Sequence, residues 1–248
     1  MQFENRVAIV TGGGTGIGRA AALCLADAGA RVLITGRREE PLRKTAGERP
    51  RIIELVADVS RSEDDQRVVD EALRHWGRVD VVVNNAAAMA QQSLEEVRAD
   101  TVTRIFSTNV LGPTMLVQAA LPHLERSRGT IVNVSSTYGH KPAPLVSHYA
   151  ASKAALEHLT RCWALELAAR GIRVNAIAPG PTETPALSSF GLSPHEVEEI
   201  KRREAEMIPM GRRAVPEEVA RWIVRLARQD EDWITGQVIT VDGGLSLT

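Results

Sequence analysis

Seven short runs rich in β-branched residues recur along the chain, each followed or preceded by a longer stretch with helical spacing. This alternation limits the possible folds more than any other feature. The runs are RVAIV (6–10), RVLIT (31–35), RIIELV (51–56), VDVVV (79–83), GTIVNV (129–134), IRVNAI (172–177) and GQVITV (236–241). Most are apolar almost throughout rather than at every second position, so they read as strands covered on both faces. Amphipathic or alanine-rich helices are expected near 17–28, 62–76, 101–126 and 149–170, with shorter ones near 38–47, 194–207 and 216–228. Parallel neighbours need a crossover connection, and the intervening helices supply it. The expected fold is α/β, a doubly wound parallel sheet of seven strands in a single domain over residues 1–248. No Pro/Gly/Ser-rich linker, internal repeat or low-complexity segment divides the chain. One segment breaks the rhythm: residues 181–210 combine a Pro-rich loop with a helical excursion. Doubly wound sheets hold ligands outside the C-terminal ends of their strands, so this segment is expected to form a substrate loop or lid.

Composition narrows the partners. A formal net charge of -1 gives no global attraction to nucleic acid or to an acidic membrane surface, and neither is expected as a partner. The N-terminus MQFENRVAIVTGG lacks a basic segment followed by an apolar one, and no apolar run approaches the ~18 residues of a membrane span. Cys24 and Cys162 both lie in Ala/Leu-rich helical stretches, which suggests core packing in a reducing compartment. A cytoplasmic location is the expectation. The histidines form no H-E-x-x-H or Cys/His cluster, so no catalytic metal is expected.

After the first strand comes TGGGTGIGRAAALCLADAGA, a glycine-rich turn opening into a helix. Gly12, Gly16 and Gly18 have the useful spacing, although no register satisfies G-x-G-x-x-G. Gly12 suits a tight turn, Gly16 a close approach of backbone to a pyrophosphate, and Gly18 the packing of helix on strand. The free N–H groups at the start of the helix favour a phosphate. Further along, Tyr149 and Lys153 stand four residues apart, on one face of a helix. Taken alone, such a pair is an ordinary surface feature of an amphipathic helix.

In combination these elements say more. T-G-x-x-x-G-I-G at 11–18, NNAA at 84–87, Asn109, Ser135–Ser136, Y-x-x-x-K at 149–153 and PG at 179–180 occur in an order and spacing that resemble the short-chain dehydrogenase/reductase family along essentially the whole chain. The resemblance extends to its 3-oxoacyl-carrier-protein reductase-like members. It implies a Rossmann-type domain and a proton-transfer site made of Asn109, Ser136, Tyr149 and Lys153. Tyr149 would act as acid or base, Ser136 would hydrogen-bond the substrate oxygen, Lys153 would also hold the nicotinamide ribose, and Asn109 would help to hold a relay water. A free phenol with a pKa near ~10 is a poor base at neutral pH. The Lys153 ammonium and an oxidised nicotinamide are expected to lower it. The implied reaction is hydride transfer between the nicotinamide and a ketone or secondary alcohol.

For the cofactor itself, the resemblance implies contacts from Gly12, Thr15, Gly16, Ile17 and Gly18, and from Asp58 and Val59 near the adenine. It places Asn84, Asn85 and Ala86 along the cofactor floor, and Pro179, Gly180, Thr182 and Thr184 around the carboxamide, with Tyr149 and Lys153 completing the set. Asp58 is also a plausible cap for the helix beginning near Ser60. The second strand ends in ITGRREE, with Gly36 where NAD-preferring proteins carry an acid, followed by Arg37 and Arg38. Two arginines near a helix start oppose the macrodipole, and a 2′-phosphate would account for them. Pairing with Glu39 and Glu40 is the plainer alternative. NADP(H) is expected in preference to NAD(H), although Thr15 is not basic as it is in some NADP-preferring relatives.

Several features depart from the family pattern or lie outside it. Ala87 replaces the usual glycine of N-N-A-G, which would be costly if the backbone there needs positive φ. His140 and His148 flank the loop between Ser136 and Tyr149, as substrate-binding or simply packing residues. Met89, Leu145, Leu187, Phe190 and Met207 are candidates for an apolar substrate wall. Arg126, Arg128, Arg170 and Arg173 form either a docking patch for an acidic carrier protein or a solvated helix-end cluster. The family resemblance implies a homo-oligomer, dimer or tetramer, acting on a small carbonyl or alcohol substrate, free or carrier-bound. A NAD-dependent alcohol dehydrogenase and a nicotinamide-binding sensor or scaffold without turnover are the competing readings.

Overall fold

A computed structural model of the protein describes residues 2–187 and 193–248. The seven strands are β1 (Val7–Thr11), β2 (Arg31–Gly36), β3 (Ile52–Val56), β4 (Val81–Asn84), β5 (Thr130–Val134), β6 (Arg173–Pro179) and β7 (Val238–Val241). They pair in parallel throughout, in the order β3-β2-β1-β4-β5-β6-β7. The chain therefore runs outward from β1 to β3, then returns to place β4 on the other side of β1. That reversal opens a crevice at the C-terminal ends of β1 and β4.

The apolar runs are buried on both faces, as parallel strands require. On β1, Ala8 and Val10 belong to one core, while Val7 and Ile9 belong to the other. The first core is closed by α1 (Gly16–Asp27) and α8 (Pro216–Ala227), through residues such as Leu25, Val219 and Ile223. The second is closed by α3 (Ser62–Trp76), α5 (Gly112–Ser127) and α6 (Ser147–Leu167), with Val68, Leu116, Leu124 and Leu167 inside. Each fully buried aliphatic side chain contributes about 1.5–3 kcal/mol, which makes this two-faced sheet the rigid platform for the loops above it. The remaining helices are α2 (Glu39–Ala46), α4 (Ala99–Phe106) and α7 (Pro194–Met207).

One detail departs from the sequence expectation. The helix expected over 101–126 is interrupted by a wide π turn at Ser107–Leu111, between α4 and α5. The excursion at 181–210 contains α7, whose start is fixed by a reciprocal cap: Ser193 accepts from the Glu196 N–H, and the Glu196 carboxylate accepts from the Ser193 N–H. Among the described residues, no helix is long and apolar enough to cross a bilayer. Cys24 and Cys162 are unpaired and only partly buried.

Candidate active site

The glycine turn connects β1 to α1 and is tied to the segment after β4. The Thr11 hydroxyl accepts the N–H groups of Asn85 at 2.9 Å and Ala86 at 3.0 Å. In return the Asn85 amide donates to the Thr11 carbonyl at 2.8 Å and the Gly12 carbonyl at 3.4 Å. Gly12 and Gly16 have φ of +66° and +54°, a region that side chains rarely adopt. A Cβ at Gly18 would lie 2.3 Å from both the Gly12 carbonyl oxygen and the Asn85 amide nitrogen. Gly18 therefore lets α1 approach its own entry turn, rather than the strand as the sequence suggested. Asn84 also differs from expectation. It is buried in the sheet, donating at 2.8 Å to Asn133, its partner in the β4–β5 ladder, which in turn donates to Thr160 on α6. Asn85, not Asn84, reaches the crevice.

The residues expected to transfer a proton converge from three elements. Ser136 follows β5, and its hydroxyl accepts the Tyr138 N–H at 3.2 Å, closing a single tight turn. Tyr149 and Lys153 lie in the first turns of α6 on one face, with the Lys153 ammonium 5.8 Å from the Tyr149 ring centroid. Lys153 is 2% exposed and donates to the Val134 carbonyl at 2.7 Å. Burial lowers its pKa to about 8, against the raising effect of the Glu157 carboxylate one turn further along. Burial likewise raises the pKa of the Tyr149 phenol, while a hydrogen bond with Ser136 pulls it down. In the protein alone the net direction is upward, opposite to the lowering expected with an oxidised nicotinamide beside it.

Asn109 lies fully buried in the π turn. Its side chain accepts the Ala88 N–H at 2.7 Å and donates to the Ala88 carbonyl and the Ser152 hydroxyl, each at 2.9 Å. Ser152 donates onward to the Tyr149 carbonyl at 2.7 Å. The Asn109 amide is thus committed to fastening the segment after β4 to α6.

These parts border one cavity of about 420 Å³. Gly12, Thr15, Gly16 and Ile17 line it from the glycine turn, and Asn85, Ala86, Ala87 and Met89 from the segment after β4. Ser136, Tyr138, Tyr149 and Lys153 form a third wall; Pro179, Gly180, Thr182 and Thr184 follow β6. A Cβ at Gly16 would meet the Thr184 methyl at 2.9 Å, so the two loops close on each other over this crevice. Ala87 has no positive φ, and its methyl group is accommodated without backbone strain. Arg38 lines the cavity; Arg37, Asp58, Val59 and Gly18 lie outside its wall. Asp58 accepts the Ser60 N–H at 3.0 Å and the Ser60 hydroxyl at 2.8 Å, shaping the turn before α3 without capping the helix itself.

The end of the cavity expected to take substrate is less apolar than the sequence suggests. Met89 and Leu187 line the cavity, but Leu145 and Met207 are more than half exposed and lie outside it; Phe190 falls outside the described residues. Tyr138, Glu204 and Arg213 line the cavity instead. No motif or spacing marks these three, because the loops that bring them together are far apart in sequence. His140 meets the buried Glu157 carboxylate at 3.1 Å, which also accepts from Ser135 at 2.8 Å. His148 only approaches the neighbouring Ser147 hydroxyl. The four arginines considered as a carrier patch sit near the N-terminal ends of β5 and β6, away from the C-terminal strand ends that border the cavity. There Arg173 donates to three carbonyls and Arg170 pairs with Glu125, while Arg126 donates to the Pro122 carbonyl. Arg128 caps α5. Among the described residues, no group of three or more His, Cys, Asp or Glu side chains is placed to hold a metal.

The chain belongs to the short-chain dehydrogenase/reductase family of oxidoreductases. A family model described as enoyl-(acyl carrier protein) reductase matches residues 12–246. The chain is 36% identical to a 3-oxoacyl-[acyl-carrier-protein] reductase of Thermotoga maritima, with both chains covered completely. It is also 36% identical to an L-fucose dehydrogenase of Bos taurus, over 99% of this chain and 91% of the other. Among solved structures, a 3-ketoacyl-(acyl-carrier-protein) reductase of Brucella melitensis complexed with NADH superimposes with a TM-score of 0.92. Its identity is 33%, over 98% of this chain and 99% of that one. Relatives of this kind act on alcohol and ketone groups.

Proposed function

We propose that the protein is an NADP(H)-dependent oxidoreductase that reduces a small ketone, or oxidises the matching secondary alcohol, within a single domain. The observation that carries this reading is the convergence of Ser136, Tyr149 and a buried Lys153 on the cavity that also borders the glycine turn. The donor set suits a nicotinamide dinucleotide. Gly12 and Gly16 expose backbone at the start of α1, and the Thr15 side chain caps none of the α1 amides, leaving them for a pyrophosphate. Lys153 would hold the adjoining ribose, and Pro179, Gly180, Thr182 and Thr184, which line the same cavity, would hold the carboxamide. When bound, the dihydronicotinamide supplies hydride to the carbonyl carbon.

The chain's own residues handle the proton. Ser136 donates to the carbonyl oxygen as negative charge develops there. Tyr149, kept protonated at neutral pH by its burial, gives its phenolic proton to that oxygen. Lys153, with a pKa of about 8, is mostly an ammonium at pH 7 and stabilises the phenolate left behind. Asn109 positions Ala88 and, through Ser152, the first turn of α6; a water relay at this residue would run over its main-chain oxygen. Tyr149→Phe leaves cofactor binding intact and lowers kcat by about 10²–10⁴-fold. Steady-state kinetics beside a cofactor titration check this, and near-normal turnover would remove Tyr149 from the mechanism.

Preference for NADP(H) rests on Arg37 and Arg38. Both are exposed, and neither side chain makes a hydrogen bond or ion pair among the described residues; Glu39 pairs with Arg43 instead. Two uncommitted guanidinium groups beside the adenosine end suit a 2′-phosphate. The NADH complex of the Brucella relative is the observation that favours the second reading, a NAD-dependent alcohol dehydrogenase. A cytoplasmic setting and a homo-oligomeric state, dimer or tetramer, belong to the proposal and are tested by cell fractionation and sedimentation.

A further inference from the structure

The substrate end of the cavity holds a charged cluster built around one buried arginine. Arg213, in the loop before α8, is 8% exposed and donates through Nε to Glu183 at 2.7 Å. It also donates through Nη2 to the Thr182 carbonyl, and its Nη1 pairs with Glu204 on α7. Lys201, one turn earlier on α7, pairs with Glu183 at 3.1 Å. A further backbone link, the short parallel bridge between Thr182 and Ala214, holds the two loops together. The cluster spans α7, the loop after β6 and the loop before α8. It lies beside Tyr138, whose phenol feels the positive charge of Arg213. Tyr138 is only two residues from Ser136, so the cluster faces the reacting end of the cavity.

The pairing decides what this wall can recognise. Two cations, Arg213 and Lys201, face three carboxylates, Glu183, Glu198 and Glu204, and the cluster has no spare positive charge. Each guanidinium nitrogen of Arg213 already has a partner, and although two of its five N–H groups remain, its charge is balanced by Glu183 and Glu204, so it offers an anionic substrate no net attraction. Glu204 is different. Among the described residues its carboxylate has only Arg213 as a side-chain partner, although a carboxylate accepts about four hydrogen bonds. It borders the cavity with acceptor capacity left over.

Resting on the oxidoreductase reading above, we infer that Glu204, held in place by Arg213, is a specificity-determining residue that selects neutral substrates carrying a hydroxyl group away from the reacting carbon. A substrate hydroxyl donates to Glu204 and replaces water there. An alkyl group at the same place leaves a partly desolvated carboxylate without that bond, and a carboxylate group meets a like charge.

The test compares three ketones of matched length with the wild-type enzyme: a methyl alkyl ketone, its isostere with a terminal hydroxyl, and levulinate, which ends in a carboxylate. The hydroxyl isostere is expected to have the highest kcat/KM, by about tenfold over the alkyl ketone, and levulinate the lowest. The double variant Arg213→Met/Glu204→Met removes both charges together, and its preference for the hydroxyl isostere should disappear through a change in KM. Should that variant fail to fold, Glu204→Gln keeps the shape and should take levulinate about tenfold better relative to the hydroxyl isostere. Calorimetric binding of the corresponding diol and alkanol gives a readout independent of turnover. Equal or better use of the alkyl ketone, or of levulinate, by the wild type overturns the inference while leaving the oxidoreductase reading intact. Turnover of none of the three ketones with either nicotinamide removes both.

Discussion

The two ends of the cavity are built differently. The cofactor end is short-range and made largely of backbone. Thr11, Gly12, Gly18 and Asn85 interlock within hydrogen-bond distance, and a single added methyl at Gly18 would meet the Gly12 carbonyl at 2.3 Å. The proposed substrate end is long-range and made of side chains: Arg213 reaches Glu183 thirty residues away and Glu204 on α7. The first arrangement allows one geometry and few substitutions. The second can be re-lettered while the loops stay put, and this is how one scaffold is able to serve many substrates.

The most severe way to break the cofactor end is Gly18→Ala. The clash is with backbone and cannot be relieved by a rotamer change, so cofactor binding should be lost and stability should drop by about 1–3 kcal/mol. Nucleotide titration and denaturant unfolding read the two effects; unchanged binding would mean that the turn is softer than its contacts indicate. A smaller effect is expected at Arg37→Glu, which turns a cation against the 2′-phosphate. NADPH affinity should fall about tenfold or more with NADH affinity little changed. Equal loss for both cofactors would assign Arg37 a structural part instead.

The smallest effect sharpens the boundary between the two ends, where Lys153 sits. Its buried ammonium titrates at about 8, below the ordinary lysine value. A reaction that needs the cation is therefore sustained below pH 8 and lost as the pH rises through that value. Removing the Glu157 charge by Glu157→Gln withdraws a raising influence, so the alkaline limb of kcat/KM should move toward neutral pH by about one unit. A uniform fall in kcat with no displacement of the limb would show that Glu157 acts through packing with Ser135 and His140 alone.

How far each end could be read from the sequence follows from the same contrast. The strand runs, the glycine turn and the Tyr149–Lys153 spacing are local patterns, and each lies where it was expected. The errors begin where a side chain's direction depends on a neighbouring strand. Asn84 pairs with Asn133 across the sheet, so it turns inward and leaves the crevice to Asn85. The π turn around Asn109 has no local signal either, because it is held by Ala88 and Ser152 from other elements. At the substrate end, apolar residues suggested an apolar wall. Leu145 and Met207 instead face solvent, and Arg213 and Glu204 meet only once α7 has docked. Periodicity reports which face is buried; it does not report which charges will meet there.

The most direct measurement for the whole account is a fluorescence titration of the purified protein with NADPH and, separately, with NADH. Binding of both, with NADPH clearly the tighter, is the predicted result and makes the glycine turn and the Arg37–Arg38 pair a working cofactor site. Binding of neither would contradict the account at its centre, since the proton-transfer residues would then stand beside a cavity that holds no hydride donor.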